Sequence, residues 1–548
     1  MKKIDWLALI LLLLIGVFGV KALFQPGFYT SHDGEHQVIR LIHFVKGLKD
    51  GQLPVRWAGP PAFDGYGYPL FIFIYRFPFY LGTFFHLIGL SFIDSIKAVF
   101  ILTYVLSGLA MYLTQKKLWS NRLAAFTGAV FYLWTPWRFS TILVRASLGE
   151  AVCFLFLPLL IWAVLAKKPI FGGIFLACLF LSHMMLAFLF LPFLLVLIIF
   201  FLYQRKDKKA FIIHNSKFII LALALSAFYW LPALVEKKET MFSQEMMVFY
   251  RDHFPSLKQL IYSSWGYGLS HPGTELDAMS FQVGIAQWLA VALAVLVWWR
   301  QRQRLLGLLI VFFFSAVFLM LPVANPYWQA ISFFLKIDFP FRYLALTTLF
   351  SSLITGGVLT ALKKKTLFLP LTIFLLALTF YGNRNHLRVN LYQDLTDDYF
   401  LNKPATSNSY NEYRPRWSVS GKHEGPRQAV LEAMAGEVEV LSEEVHSHWQ
   451  KYRVKAVEDS QVRLNTVYYP GWRLWVSTKG GPASGWNGQK RKFDITLISG
   501  LIQFPLEEGE HEVMIKFTRT WDRILGEAIS CLSLLFLVGR GLKSFMLK

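Results

Sequence analysis

The chain has 548 residues, 55% of them hydrophobic and 17% aromatic, with a mean hydropathy of +0.44; apolar runs of membrane-spanning length recur along it, which excludes a soluble globular protein and predicts a polytopic α-helical membrane protein. A formal net charge of +21 would suit a nucleic-acid partner in a soluble protein, but many of the Lys and Arg residues sit in short loops between apolar runs, where they mark topology and meet anionic lipid. No nucleic-acid partner is expected. The three cysteines, Cys153, Cys178 and Cys531, all lie within apolar segments, which supports neither a disulfide framework nor a thiolate metal site.

The opening Met1-Lys2-Lys3 precedes an apolar run from Trp6 to Phe24, long enough to cross a bilayer and read as a retained signal anchor rather than a cleaved signal peptide. The run Ser31-His32-Asp33-Gly34-Glu35-His36 then emerges on the outer side. It leads into Val38 to Leu48, whose apolar spacing predicts an amphipathic helix lying along the membrane surface. Residues 70 to 90 are interrupted by Arg76, Pro78 and His86 and are rich in aromatic residues. They predict a juxtamembrane or re-entrant helix within an outer loop spanning 25 to 95.

Loops rich in Lys and Arg stay on the cytoplasmic side. Here they are Lys116, Lys117 and Arg122; Lys167 and Lys168; Arg205 to Lys209; Arg300 to Arg304; Lys363 to Lys365; and Arg540 to Lys548. Each consecutive pair encloses enough apolar sequence for two crossings. With the anchor and residues 96 to 114, this threading predicts twelve spans and both termini inside. The stretch from Ile170 to Tyr203 reads as two short spans turning near His183. Residues 1 to 381 thus form a membrane module. After Tyr381 the composition turns polar, and alternation at Glu437 to Leu441, Tyr452 to Val457 and His511 to Phe517 predicts an extracytoplasmic β-sandwich-like domain over 382 to 520. A final span and basic tail occupy 521 to 548.

Polar residues at the outer ends of these spans are the candidates for chemistry. Asp33 either caps the helix that follows it or acts as a general base toward an acceptor hydroxyl. Glu35 and His36 are further candidates for catalysis or acceptor contact. With His32 and Asp33 they could instead hold a divalent metal, although their spacing matches no dedicated metal motif. Arg145 and Glu150, in Arg145-Ala146-Ser147-Leu148-Gly149-Glu150, lie between two spans; His183 lies at a hairpin tip; Arg342, in Phe339-Pro340-Phe341-Arg342-Tyr343, opens another span. Each of these charges either snorkels to the interface or belongs to a site. Several arginines on one face with an acidic cluster suit a phosphate, which planar guanidinium groups bind bidentately as charge develops on it. Arg56 in Leu53-Pro54-Val55-Arg56-Trp57 is a further candidate for that phosphate. Tyr468-Tyr469-Pro470-Gly471-Trp472 reads as a strand, a turn and a packed aromatic, and Asn411-Glu412-Tyr413 as a candidate substrate contact.

The strings HDGEHQVIRL (32 to 41), GQLPVRW (51 to 57), YGYPLF (66 to 71), RASLGE (145 to 150), LSH (181 to 183), FPFRYL (339 to 344), NEYRPRW (411 to 417) and YYPGWR (468 to 473) occur in an order that resembles the C-type fold glycosyltransferases of membranes. More closely, the chain resembles the prokaryotic membrane proteins labelled 6-pyruvoyl-tetrahydropterin-synthase-related, together with the YfhO-like group. A pterin enzyme of that kind would need a soluble zinc site, which the apolar spans do not supply. The resemblance implies a polyprenyl-phosphate-linked sugar donor, an essential acidic residue in the first outer loop that maps onto Asp33, and a juxtamembrane helix in that loop. Where many such enzymes carry an Asp-Glu or Asp-Asp pair, this chain has Asp33-Gly34-Glu35, which leaves the second carboxylate's role open.

The expected activity is transfer of a sugar from a polyprenyl-phosphate carrier to a glycan, glycolipid or protein acceptor, with inversion, on the outer face of a prokaryotic cytoplasmic membrane. Asp33 is the expected base, and Arg145, Arg342 and Arg56 the expected phosphate ligands. No cofactor is required. The alternative is a non-catalytic lipid or polysaccharide transporter, or a glycan-binding assembly factor.

Overall fold

The computed structural model describes residues 3–242, 249–273, 277–332, 339–362, 365–403, 413–418, 427, 429–478 and 488–546. Two compact units divide the chain. The first comprises Met1–Gly34, Tyr80–Ser226 and Met246–Thr396, the second Glu35–Phe79, Ala227–Glu245 and Asp397–Lys548.

The first unit is helical, and local sequence sets its helix ends. Ser91 caps Phe92–Trp119 by accepting the Asp94 N–H, Lys116 and Lys117 occupy the last turn, and Ser120 closes the helix in the left-handed region. Asn121 then accepts the Ala124 N–H and starts Arg122–Leu133. Small residues let these helices approach closely, as lipid-embedded packing requires: a Cβ on Gly108 would lie 2.6 Å from the Leu133 side chain, and one on Gly357 2.8 Å from the Trp119 ring. Lys116 and Arg122, expected only as topology signals, also converge on buried Asp5, each 2.9 Å from its carboxylate, with the Tyr112 hydroxyl donating at 3.0 Å.

Each of the twelve segments read as spans carries a helix. Among the described residues, five are long and apolar enough to cross a membrane: Phe92–Trp119, Leu148–Leu165, Met184–Tyr203, Pro340–Thr360 and Thr366–Asn383. The number rises to seven if two helix pairs, broken at Ser226 and near Leu321, each count as one span; four more apolar helices have 10–17 residues. Strands β1 (Phe28–Tyr29) and β2 (Tyr392–Gln393) pair antiparallel within this unit. Residues 382 to 396 therefore belong with the helices and not with the β-domain, as the polarity shift after Tyr381 had suggested.

In the second unit the helix Gly34–Lys49 does not lie with one face open. Residues 37 to 45 are buried without interruption, polar Gln37, Arg40 and His43 included. The amphipathic reading fails because tertiary partners take the polar positions. Tyr75 donates to Gln37 at 2.9 Å, and Phe44 packs on Phe71 and Phe79. The predicted single helix over 70 to 90 is instead two, Leu70–Phe73 and Phe77–Leu87, separated where the Arg76 Nε turns back to the Phe71 carbonyl at 2.6 Å.

Strands β3 (Leu431–Ala435), β4 (Val438–Val445), β5 (Trp449–Ala456), β6 (Ser460–Val467), β7 (Trp472–Thr478), β8 (Gln489–Arg491), β9 (Asp494–Ile495), β10 (Leu501–Leu506) and β11 (Gly509–Phe517) form two antiparallel sheets, ordered β3-β6-β10-β9 and β4-β5-β11-β7-β8. Alternate residues of β5, β10 and β11 are buried, as period-2 patterning requires. The β4 strand departs from the expected half-burial: none of its side chains is buried, and Val440 and Leu441 are exposed on this edge. Three of the sequence strings meet here. Trp57 packs on Trp472, Phe517 and Tyr469, with centroids 5.2, 5.0 and 6.4 Å away. Gly67, at φ 81°, lies so close to the Trp57 indole that a Cβ would stand 2.5 Å from its nitrogen. Arg523, at the start of Trp521–Met546, makes a bidentate pair with Glu236 at 2.7 Å and also donates to the Thr518 and Pro470 carbonyls, so this buried charge is paired and hydrogen-bonded.

At the β4–β5 turn, His446 stacks on Trp449 and holds Asp50 with Nδ1 and Glu444 with Nε2, each at 3.1 Å. Only the imidazolium donates to both carboxylates. Slight burial opposes the charge, but the two carboxylates win and raise the His446 pKa above 6.5. Burial acts on Asp50 in the same sense as on any carboxyl, yet hydrogen bonds from Ser447 and His446 hold it below its usual range. A histidine whose folded pKa is raised stabilises fully below pH 6.5 and loses that stabilisation as pH rises through the folded value. The thermal midpoint of the purified protein is expected to fall between pH 6 and pH 8 by an amount that His446→Gln diminishes; an identical pH dependence in the variant would refute the link.

Candidate functional site

The first unit assembles three of the sequence candidates, Arg145, His183 and Arg342, around a fourth, the Glu150 carboxylate. After Arg122–Leu133 the chain passes through a short helix, Pro136–Phe139, and a π-turn, Ser140–Val144, in which the Arg145 N–H reaches back to the Ser140 carbonyl at 2.8 Å. Such widened turns re-aim the residues that follow them. Ala146 then takes a left-handed conformation, φ 49°, costly for a residue with a Cβ, and the helix Leu148–Leu165 begins. Glu150 falls in its first turn, where the free N–H groups favour a negative charge.

Glu150 is fully buried. Its Oε2 receives Arg145 Nη1 at 2.8 Å and Arg342 Nη1 at 3.1 Å, while the Trp137 indole N–H donates to Oε1 at 2.9 Å. Arg145 also lies over the Trp137 and Phe341 rings, and Arg342 over Phe339. Two guanidinium groups thus share one buried carboxylate. His183, between Pro169–Ser182 and Met184–Tyr203, lies with Nδ1 3.1 Å from the Leu186 N–H and with Nε2 3.2 Å from Arg342 Nη1; a neutral imidazole accepts at one nitrogen, so the ring's tautomer selects between these two bonds.

The loop that carries Asp33 is pinned to this group by its backbone. His32 N–H donates to the Val144 carbonyl and Asp33 N–H to the Arg145 carbonyl, both at 3.0 Å. The His32 ring reaches the Tyr267 carbonyl at 3.2 Å. Burial first, and then the Arg145 guanidinium, push its pKa below 6.5 against the opposing Asp33 carboxylate, which keeps the ring neutral at pH 7. Glu35 and His36 stand in the first turn of Gly34–Lys49 and belong to the second unit, so the sequence cluster divides after Gly34. Among the described residues no group of three His, Cys, Asp or Glu side chains is placed to hold a metal ion. Arg56 is likewise in the second unit, where Glu527 pairs with its Nη1. That ion pair gives Arg56 a partner other than the expected phosphate. Asn411 and Glu412 lie outside the described residues.

Sequence reasoning missed Trp137 and the phenylalanines that bracket the arginines. The available signal was the run Thr135-Pro136-Trp137-Arg138-Phe139, which breaks an apolar stretch with a proline and an indole. Arg138, in the same run, is buried against the Phe154, Tyr104 and Tyr132 rings at 4.2, 4.6 and 5.4 Å and donates to Ser107 Oγ at 2.8 Å.

No protein-family model matches the chain, and no curated protein does. Among solved structures it is similar to the arabinofuranosyltransferase AftD from mycobacteria, at 13% identity and a TM-score of 0.45 over 71% of this chain. The match spans 27% of that protein, so the chain corresponds to about a quarter of its length.

Removing the charge at Glu150 while keeping its shape takes from two buried guanidinium groups the carboxylate they share, and losing one partner of a buried pair costs about 3–5 kcal/mol. Glu150→Gln is expected to lower the thermal midpoint of the detergent-solubilised protein markedly, whereas Arg56→Gln leaves the Glu150 group intact. A Glu150→Gln protein as stable as wild type would show that the charge does not hold this region together.

Proposed function

We propose that the chain is a membrane glycosyltransferase of the C-type, using a polyprenyl-phosphate-linked sugar and a glycan, glycolipid or protein acceptor at the outer face of the cytoplasmic membrane. The observation that carries this reading is the backbone pairing of His32 and Asp33 onto Val144 and Arg145, which ties a carboxylate loop to the arginines around Glu150. In the proposed step an acceptor oxygen attacks the anomeric carbon opposite the phosphate. The new C–O bond forms as the old one breaks, its electron pair leaves on the phosphate oxygen, and Asp33 takes the acceptor's proton. Displacement from the opposite face inverts the anomeric centre. Arg342 and Arg145 neutralise the departing phosphate, His183 holds Arg342, and Glu150 acts as a positioning residue that fixes both arginines.

Glu35 and His36 are proposed as acceptor contacts. The proposed topology has both termini cytoplasmic and residues 382 to 520 outside. Membrane transport without chemistry is the second reading, favoured by the aromatic-enclosed Arg138, since ionisable groups within helical bundles often line pathways.

The two readings separate in an assay of purified protein with a panel of polyprenyl-phosphate-linked sugars. Asp33→Asn is expected to lower transfer about 100-fold or more with donor binding retained, and Arg342→Ala about 100- to 1000-fold. Undiminished transfer in Asp33→Asn would rule out the base, and no transfer from any donor by the wild type would favour the transport reading.

A further inference from the structure

Away from the Glu150 group, the first unit contains a second polar feature among apolar helices. Leu148–Leu165 and Pro169–Ser182 are joined at Ala166, Lys167 and Lys168, with Lys167 at φ 55°, and beside that turn the helix Lys208–Leu225 begins. Further along, Pro169–Ser182 and Lys208–Leu225 pack closely. A Cβ on Gly172 would stand 3.1 Å from the Phe218 ring and one on Gly173 2.8 Å from Leu221. At the turn the helices leave a shallow cleft at the surface. Val164, Phe211 and Phe218 supply apolar wall, and Lys167, Lys168, His214 and Asn215 supply polar groups.

Charge concentrates at this cleft. The turns at 167–168 and 205–209 together carry six Lys or Arg side chains against one carboxylate, Asp207, which holds Lys167 at 2.7 Å. Lys168 is exposed. His214 donates Nδ1–H to the Ala210 carbonyl at 2.7 Å, since a carbonyl can only accept, and its Nε2 is left for a partner outside its own helix turn. A soluble phosphate would need no more than these cations. The surroundings offer more, because Phe171, Ile212, Ile220 and Leu223 expose apolar side chains on the two helices that frame the cleft.

We propose that this cleft binds the phosphate head group of an anionic phospholipid, with Lys167 and Lys168 at the phosphate and the acyl chains along the exposed apolar side chains of Pro169–Ser182 and Lys208–Leu225. Basic recesses between membrane helices, on the face where positive loops collect, are suited to anionic head groups. The ligand is thus a structural membrane lipid at the opposite end of these helices from the turn at His183, independent of the sugar donor.

The test is native mass spectrometry of the full-length protein, delipidated in detergent and supplied with phosphatidylglycerol or phosphatidylcholine. Phosphatidylglycerol is expected to stay bound in preference to phosphatidylcholine, to resist millimolar inorganic phosphate, and to lose about tenfold to thirtyfold in affinity in Lys167→Gln/Lys168→Gln, as two lysines at an anionic surface are worth. Both lysines are exposed, and the single variant Lys168→Gln provides a milder change with a loss in the same direction. Arg300→Gln/Arg302→Gln, at a basic turn without this cleft, is expected to retain the lipid as wild type does. Equal retention of the two lipids, displacement by inorganic phosphate, or equal losses in the two double variants would each overturn the proposal.

Discussion

The pairing of Glu150 with Arg145 and Arg342 is the constraint on which the helical unit's organisation rests. A carboxylate with no solvent exposure is tolerated inside apolar packing only if its charge is met and its oxygens are hydrogen-bonded. Here two guanidinium groups and the Trp137 indole do both, and they come from three separate stretches of chain. Satisfying one buried charge therefore fixes the π-turn at 140–144, the start of Leu148–Leu165 and the start of Pro340–Thr360 relative to one another. The aromatic rings of Trp137, Phe339 and Phe341 exclude water from the same place, which strengthens every charge interaction in it.

In the proposed function the same two arginines, held in place by Glu150, meet the departing phosphate. The second unit handles burial differently: Arg523 has its charge met by Glu236 and two carbonyls, and the aromatic joint of Trp57, Trp472 and Phe517 supplies packing without charge.

Much of this was legible from residue order. Apolar runs bounded by Lys and Arg marked each helix, because length and charge are properties of a segment alone. Arg145, Glu150, His183 and Arg342 stood out for the same reason, as polar groups at segment ends. Their convergence was not legible: Arg342 and Glu150 are 192 positions apart, and which helices neighbour one another depends on close packing at residues such as Gly108, Gly128 and Gly357. The helix at Gly34–Lys49 misled the periodicity argument because Gln37, Arg40 and His43 read as a wet face, while buried polar residues with tertiary partners such as Tyr75 carry the same letters. The exposed β4 strand misled it in the other direction, since an edge strand keeps alternating letters without a sheet to cover either face.

The central claim is that the Asp33 loop and the arginines around Glu150 act on one reacting centre. Its most direct test is a double-mutant cycle, Asp33→Asn with Arg342→Ala, measured by single-turnover transfer from a polyprenyl-phosphate-linked sugar. Groups that serve one transition state are strongly non-additive, so the double variant is predicted to be little slower than the slower single variant. Losses that multiply as independent factors would contradict a shared site.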